Sequence, residues 1–476
     1  MRVVFNMLIT LFLEVFLNHS YNVDNFFLRI RKMALWIAGL TIKWYFCVQK
    51  VISVIGKGIR FRLIILVFLQ YAVWGAYLIS IGRYLAGVGL GSQIKWFFAT
   101  NGIVSLFMPA LVGIVADRYI QAQRLLSLCH ALAGLLMLSA GLYCLRAGQV
   151  AFLPLYSLYA SSIVFFMPTV ALTNSVSYSI IARAGGDPVR DYPPIRLFGT
   201  VGFICSMLAV NYISVDGVRM QDSFTQLILS GFLSIILCLY ALTLPQCPTG
   251  GDRAERSLRD AFGLNAFSLF RTRHMAVFFV FCILMGSALQ ITNGYANTFL
   301  GSFSSNPAFA DTFAVRNSNA LLSLSQISET LCFLLVPFCM KRYGIKKVLL
   351  MSMAAWVFRF GLFGLGTPDM PGVLLFILSC ILYGVAFDFY NIAGSLYVEK
   401  NVDKSIRASA QGLFMMMSNG VGATIGMIGA GSVMDHYVFN AVQPDWSRAW
   451  IVFAAYMMVV TVLFALIFKD ESQDGK

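Results

Sequence analysis

Apolar runs recur along the chain from about Arg62 to Phe468, separated by short polar breaks. Each approaches or exceeds the roughly 20 residues that a helix needs to cross the hydrocarbon core. Twelve are counted, at 62–85, 94–116, 124–145, 150–178, 195–214, 222–244, 275–298, 317–338, 347–366, 372–398, 408–434 and 448–468. None alternates as a strand does, and each is far longer than a barrel strand, so the backbone must satisfy its own hydrogen bonds as helices. The expected fold is an all-α polytopic membrane protein of twelve transmembrane helices in two six-helix halves.

The longest polar break within the bundle, PQCPTGGDRAERSLRDAFGLNAFSLFRTRH (Pro245 to His274), divides the spans six and six. Two related halves that tilt about a midplane site are the architecture of a rocking transporter. ADRY (Ala116 to Tyr119) after the second span is echoed by KRYGIKK (Lys341 to Lys347) after the eighth, its counterpart. The expected organisation is an N-terminal half at 58–244, a central cytoplasmic loop at 245–274, a C-terminal half at 275–470 and a cytoplasmic tail at 471–476. Residues 1–57 form an N-terminal extension whose apolar stretches are broken by Asn6, Glu14, Lys43 and Lys50. A basic amphipathic surface segment and a poor signal sequence both fit it.

Composition agrees with the pattern: 59% of the 476 residues are hydrophobic and 12% charged, where a soluble protein has about 25% charged. The net charge of +14 raises the question of nucleic acid, and the placement of the basic residues answers it. Arg118 and Arg124, Arg183 and Arg190, the five arginines from Arg253 to Arg273, Lys341 to Lys347, and Lys400, Lys404 and Arg407 all follow even-numbered spans. The other loops hold few, such as Arg146, Arg219 and Arg316. The basic loops are expected in the cytoplasm together with both ends of the bundle, so no nucleic-acid partner is expected. The ten cysteines are scattered without a CxxC pair or clustered histidines, which suggests neither a zinc site nor a disulfide framework. Gly422, Gly426 and Ala430, spaced every four residues in the eleventh span, read as tight helix packing.

An ionisable side chain at membrane depth costs about 2.5–3.5 kcal/mol on insertion scales, so each one asks for a function and a partner. The fifth span opens DYPPIRLFGTVGF, with prolines suited to a helix start and Arg196, Thr200 and Phe203 on one stripe. Snorkelling to the interface would explain Arg196 equally well. In the seventh span Gln290 and Asn293 share a face, and in the eighth Gln326 and Glu329 do so. One such amide is ordinary interhelical glue, whereas paired amides beside a carboxylate are not so easily explained. The tenth span, CILYGVAFDFYNIAGSLYV, places Tyr383, Phe387 and Asp388 together, with Asn391 and Ser395 continuing the Asp388 side. Gln70 and Trp74 add an i, i+4 pair in the first span, Trp74 in a minor role.

This inventory holds no nucleophile with a paired base, no phosphate-cradling loop and no metal cluster, and it describes a binding site rather than an enzyme. Carboxamides meet a nucleobase edge with donor and acceptor side by side, aromatic rings offer a stacking face, and a carboxylate accepts from ribose hydroxyls. A sugar meets the same groups. A sugar or oligosaccharide carrier on the same fold, or a ligand sensor that moves nothing, therefore stays open at this point.

Six colinear blocks, PPIRLFGTVGF, LQITNGYANTFL, SQISETL, RYGIKKV, YGVAFDFYNIAGSLYVEK and IRASAQGLFMMMSNG, resemble the bacterial nucleoside:proton symporters of the major facilitator superfamily over roughly residues 60–470. The resemblance implies a carrier of the bacterial cytoplasmic (inner) membrane that imports nucleosides with protons. It implies no cofactor beyond the proton gradient and no obligate protein partner. It further implies a substrate site made of Arg196, Thr200, Phe203, Gln290, Asn293, Gln326, Glu329, Tyr383, Phe387 and Asp388, the same residues that spacing had grouped. Asp388 and Glu329 are the candidates for the coupled proton, since a buried carboxylate can be neutralised before the loaded carrier reorients. GIVADRYIQAQR keeps Asp117 and Arg118 of the superfamily's loop signature but has Ile120 where glycine is usual. The extension has no counterpart in the family, which suggests a start downstream, near Met33 or closer to Arg60.

Overall fold

A computed structural model describes residues 56–247, 264–403 and 406–468. The extension up to residue 55, most of the central loop and the C-terminal tail lie outside the described residues. So do Lys404 and the side chain of Asp117.

Eleven helices among the described residues are long and apolar enough to cross a membrane. The expected span at 317–338 is not among them, because it is built in two pieces. Ser318–Phe333 has only 16 residues. The chain turns at Leu334 and Leu335 and resumes in the first turns of Val336–Leu365. That helix bends sharply at Gly344, whose φ of 76° and ψ of 173° suit glycine, and continues as the ninth span. The first span is broken as well, into Lys57–Gly75 and Ile81–Gly87. Backbone bonds from Leu78 to Trp74 and from Ile81 to Tyr77 bridge that break, which keeps the polar backbone satisfied as hydrocarbon requires.

The fifth span, Pro188–Tyr212, begins seven residues before its expected start at 195. Asp187 caps it by accepting from the Val189 amide at 3.0 Å, and Pro188 occupies the first turn, where its missing N–H costs nothing. Pro193 and Pro194 therefore lie inside the helix and do not open it.

Helix pairing follows a simple rule. In the first half, span one packs on five, two on four, three on four, and three on six. In the second half the partners are seven on eleven, eight on ten, nine on ten, and nine on twelve. Adding six to each member of the first set gives the second. Between the halves span two packs on eleven, five on eight, and one on seven, a set that the same operation maps onto itself. Two repeats about a pseudo-two-fold axis produce this pattern.

The eleventh span comprises Arg407–Met415, a wider π-helical stretch Met416–Gly422, Ala423–Met434 and a second wide stretch Asp435–Phe439. Its small residues pack on the seventh span, Arg273–Ser302. A Cβ on Gly422 would lie 2.4 Å from the Ile283 carbonyl, and one on Gly426 2.1 Å from the Ser287 Cβ. The tightest approach comes from the seventh span itself, where a Cβ on Gly286 would meet the Ser418 carbonyl at 2.0 Å. Gly286→Ala should therefore destabilise the bundle by about 1–3 kcal/mol, the usual cost of overpacking. The check is its melting temperature in detergent, against an unchanged value for Gly429→Ala, since a Cβ on Gly429 meets nothing within 4 Å.

One end of the bundle is tied across the halves by polar side chains, all near loops that follow odd-numbered spans. Arg83 pairs with Asp222 in its own half, and its Nη1 donates to the Val315 carbonyl at 3.0 Å and to Ser318 Oγ at 2.9 Å in the other. Asn211 Nδ2 donates to Asn317 Oδ1 at 3.0 Å, Gln221 Nε2 to the Arg316 carbonyl at 3.0 Å, and Lys95 pairs with Asp435.

Candidate functional site

The expected site residues lie on the fifth, seventh, eighth and tenth spans, and the structure connects three of these helices electrostatically. Glu329 on the eighth span is within electrostatic reach of Arg196 on the fifth and of Asp388 on the tenth. Charges in a low-dielectric bundle act over longer distances than in water. Close helix packing sets these positions. A Cβ on Gly384 would lie 2.4 Å from the Ser328 carbonyl, which presses the tenth span on the eighth, and one on Gly202 2.2 Å from the Phe68 carbonyl, which presses the fifth on the first.

Each half contributes aromatic faces beside the charges. In the first half the Arg196 guanidinium carbon sits 3.8 Å from the centroid of the Tyr71 ring, a cation–π contact. Phe203 meets Trp74 edge-on at 6.4 Å. In the second half Tyr383 and Phe387 lie parallel, 5.7 Å apart with 4° between their planes. Tyr383 interacts electrostatically with both Glu329 and Asp388, and Gln326 lies beside its hydroxyl. Thr200 and Asn293 are half-buried, one helical turn beyond Arg196 and Gln290 respectively.

Asp388 is only 6% exposed, yet its Oδ2 has no hydrogen-bond partner among the described residues. Gln290 Oε1 and Trp74 Nε1 are likewise buried and unpartnered. Buried polar atoms are nearly always bonded, so orphans on the first, seventh and tenth spans call for an explanation. Two of them are acceptors and one is a donor.

Three expected neighbours do not join this group. Gln70 is fully buried in a separate network within the first half: its Nε2 donates to Thr169 Oγ1 at 2.8 Å, and its Oε1 accepts from Thr173 Oγ1 at 2.9 Å and from His130 Nε2 at 2.9 Å. It is structural glue joining the first, third and fourth spans. Asn391 Nδ2 turns back to the Phe387 carbonyl at 3.0 Å, and Ser395 Oγ donates to Gln411 Oε1 at 3.0 Å. Both lie on the Asp388 side of one continuous helix, with their polar groups occupied by these bonds. Two residues were missed: Tyr71, adjacent to Gln70, and Arg359, a fully buried arginine in the ninth span. The rule that singled out Asp388, a charge inside an apolar run, applies equally to Arg359.

Residues 57–473 match the family described as Nucleoside H+ symporter. The chain belongs to the nucleoside H+ symporter family. Members similar to it include the xanthosine permease of Escherichia coli K12, 45% identical over 415 residues covering 87% of this chain and 96% of that one. The nucleoside permease NupG of the same organism is 43% identical over 416 residues, with the same coverage. The crystal structure of the nucleoside transporter NupG superposes with a TM-score of 0.79 at 42% identity, covering 87% of this chain and all of that one. A structure of a POT family transporter, at 12% identity and a TM-score of 0.60, shares the fold alone. The helix pairing of this symporter-family chain is thus that of major facilitator transporters, and its relatives are carriers.

Proposed function

We propose that the protein imports nucleosides together with protons across the bacterial cytoplasmic membrane by alternating access. The substrate is held between the halves by Arg196, Thr200, Phe203, Gln290, Asn293, Gln326, Glu329, Tyr383, Phe387 and Asp388. The observation that carries this reading is that Glu329 lies within electrostatic reach of both Arg196 and Asp388, which joins three spans of both halves, and that buried acceptors on Gln290 and Asp388 lack partners among the described residues. Gln290, Asn293 and Gln326 match the donor and acceptor edge of a nucleobase, the Tyr383 and Phe387 rings give it a face, and the carboxylates accept from ribose hydroxyls. Each orphaned atom then gains a partner when substrate enters.

Glu329 lies within electrostatic reach of both Arg196 and Asp388, so a proton on either acid changes the net charge that must reorient. Substrate contact and protonation at one site bias each other reciprocally. With the loops after even-numbered spans in the cytoplasm, the ties around Arg83, Asn211 and Lys95 close the carrier on its outer side. Opening to the outside requires those bonds to break and the two halves to rock.

The test is uptake of labelled uridine in vesicles with an imposed pH gradient, challenged by a panel of nucleosides and sugars. Nucleosides should compete and sugars should not. Competition by sugars alone would overturn the substrate assignment, and absence of counterflow in proteoliposomes would favour a sensor.

A further inference from the structure

Arg359 lies in the ninth span, 3% exposed, at a depth where a cation costs about 2.5–3.5 kcal/mol to insert. A buried charge is normally paired with an opposite charge. The groups that face Arg359 are different: Nη1 donates to the Ser379 carbonyl at 2.6 Å, and Nη1 and Nη2 both approach Ser325 Oγ at 3.4 Å. Its Nε is buried with no hydrogen-bond partner among the described residues, and Cys380 and Tyr383 are the titratable groups among them acting on it.

What surrounds the guanidinium is aromatic. Its central carbon lies 4.7 Å from the Tyr383 ring centroid, 5.5 Å from Phe363 and 5.9 Å from Trp356. Trp356 also meets Tyr383 edge-on at 6.1 Å. The Tyr383 ring is thus held by a cation and an indole, and it lies parallel to Phe387. The arrangement repeats in the first half, where Arg196 sits over Tyr71. Each half places one arginine on one tyrosine near Glu329, which acts on both tyrosines.

We propose that Arg359 is a positioning residue of the substrate site: it holds the Tyr383 ring parallel to Phe387, at the face that the substrate meets. It acts through Tyr383 and touches no substrate. Its links to Ser325 and Ser379 also lock the eighth, ninth and tenth spans in one register, which keeps that ring steady. The inference rests on Tyr383 being a substrate contact, and the experiment separates the two claims.

The experiment is a double-mutant cycle on the purified full chain, reading the uridine Kd and the detergent melting temperature for Arg359→Met, Tyr383→Leu and the pair. Residues that act as one unit give non-additive losses. Each single change should weaken uridine binding roughly tenfold, about 1.4 kcal/mol, and the double should bind no worse than the weaker single. Should Arg359→Met not fold, Arg359→Lys takes its place in the cycle. It keeps the charge but loses the planar fork that stacks on the ring, and it should weaken binding about threefold with the same non-additivity. An unchanged Kd in Tyr383→Leu would remove Tyr383 from the substrate site. A weakened Tyr383→Leu with wild-type binding in the Arg359 variant, or fully multiplied losses in the double, would leave the substrate site standing and overturn the role of Arg359.

Discussion

Vesicles carrying the Asp388→Asn, Glu329→Gln double variant should equilibrate uridine but never concentrate it. In the wild-type carrier, one proton moving through 100 mV yields about 2.3 kcal/mol, or roughly fifty-fold accumulation of a neutral solute. With both acids replaced by amides the accumulation ratio should fall to about one. Amides keep much of the acids' shape and hydrogen-bonding capacity but take up no proton, so slow downhill entry should persist. The single variants then assign the proton: the one that loses accumulation names the acid. Full concentrative uptake by both single variants would refute the coupling role of these carboxylates.

Arg196→Met should cost transport nearly as much. It leaves Glu329 beside Asp388 without the cation within its reach. A fall in Vmax/KM for uridine of roughly tenfold or more, about 1.4 kcal/mol, is expected. Adding Glu329→Gln removes the stranded charge, so the double variant should regain melting temperature and part of its uridine binding without regaining accumulation. Wild-type transport by Arg196→Met would instead mark Arg196 as a side chain that snorkels to the interface.

The two arginines show where reading the sequence succeeds and where it stops. Arg196 was legible because a threonine and a phenylalanine follow it at helical spacing. Arg359 has its partners on other helices: Tyr383, Ser325 and Ser379 are remote in sequence, and its near neighbours Trp356 and Phe363 read as ordinary apolar filler. The amides make the same point. Gln70 and Gln290 are alike as isolated letters, and only three-dimensional neighbours decide that Gln70 is saturated by Thr169, Thr173 and His130 while Gln290 Oε1 is left open. Periodicity tells which residues share a face, not which helix that face meets.

At the level of spans, hydrophobic length sufficed because the bilayer fixes how long an apolar helix must be. It failed where breaks depend on local chemistry. The turn at Leu334 and Leu335 splits one apolar stretch, the bend at Gly344 joins two across the polar KRYGIKK, and the Asp187 cap starts the fifth span before its hydrophobic run begins. The small residues Gly422 and Gly426 were readable as packing positions, although the seventh span as their partner was not.

The most direct test of the central claim is an experimental structure of the protein with a nucleoside bound. The account predicts the base and ribose between the halves, in contact with side chains from the fifth, seventh, eighth and tenth spans, with Gln290 Oε1 and Asp388 Oδ2 each bonded to the ligand or to a water it holds. A nucleoside seated within one half, or at a place remote from Arg196, Glu329 and Asp388, would contradict it.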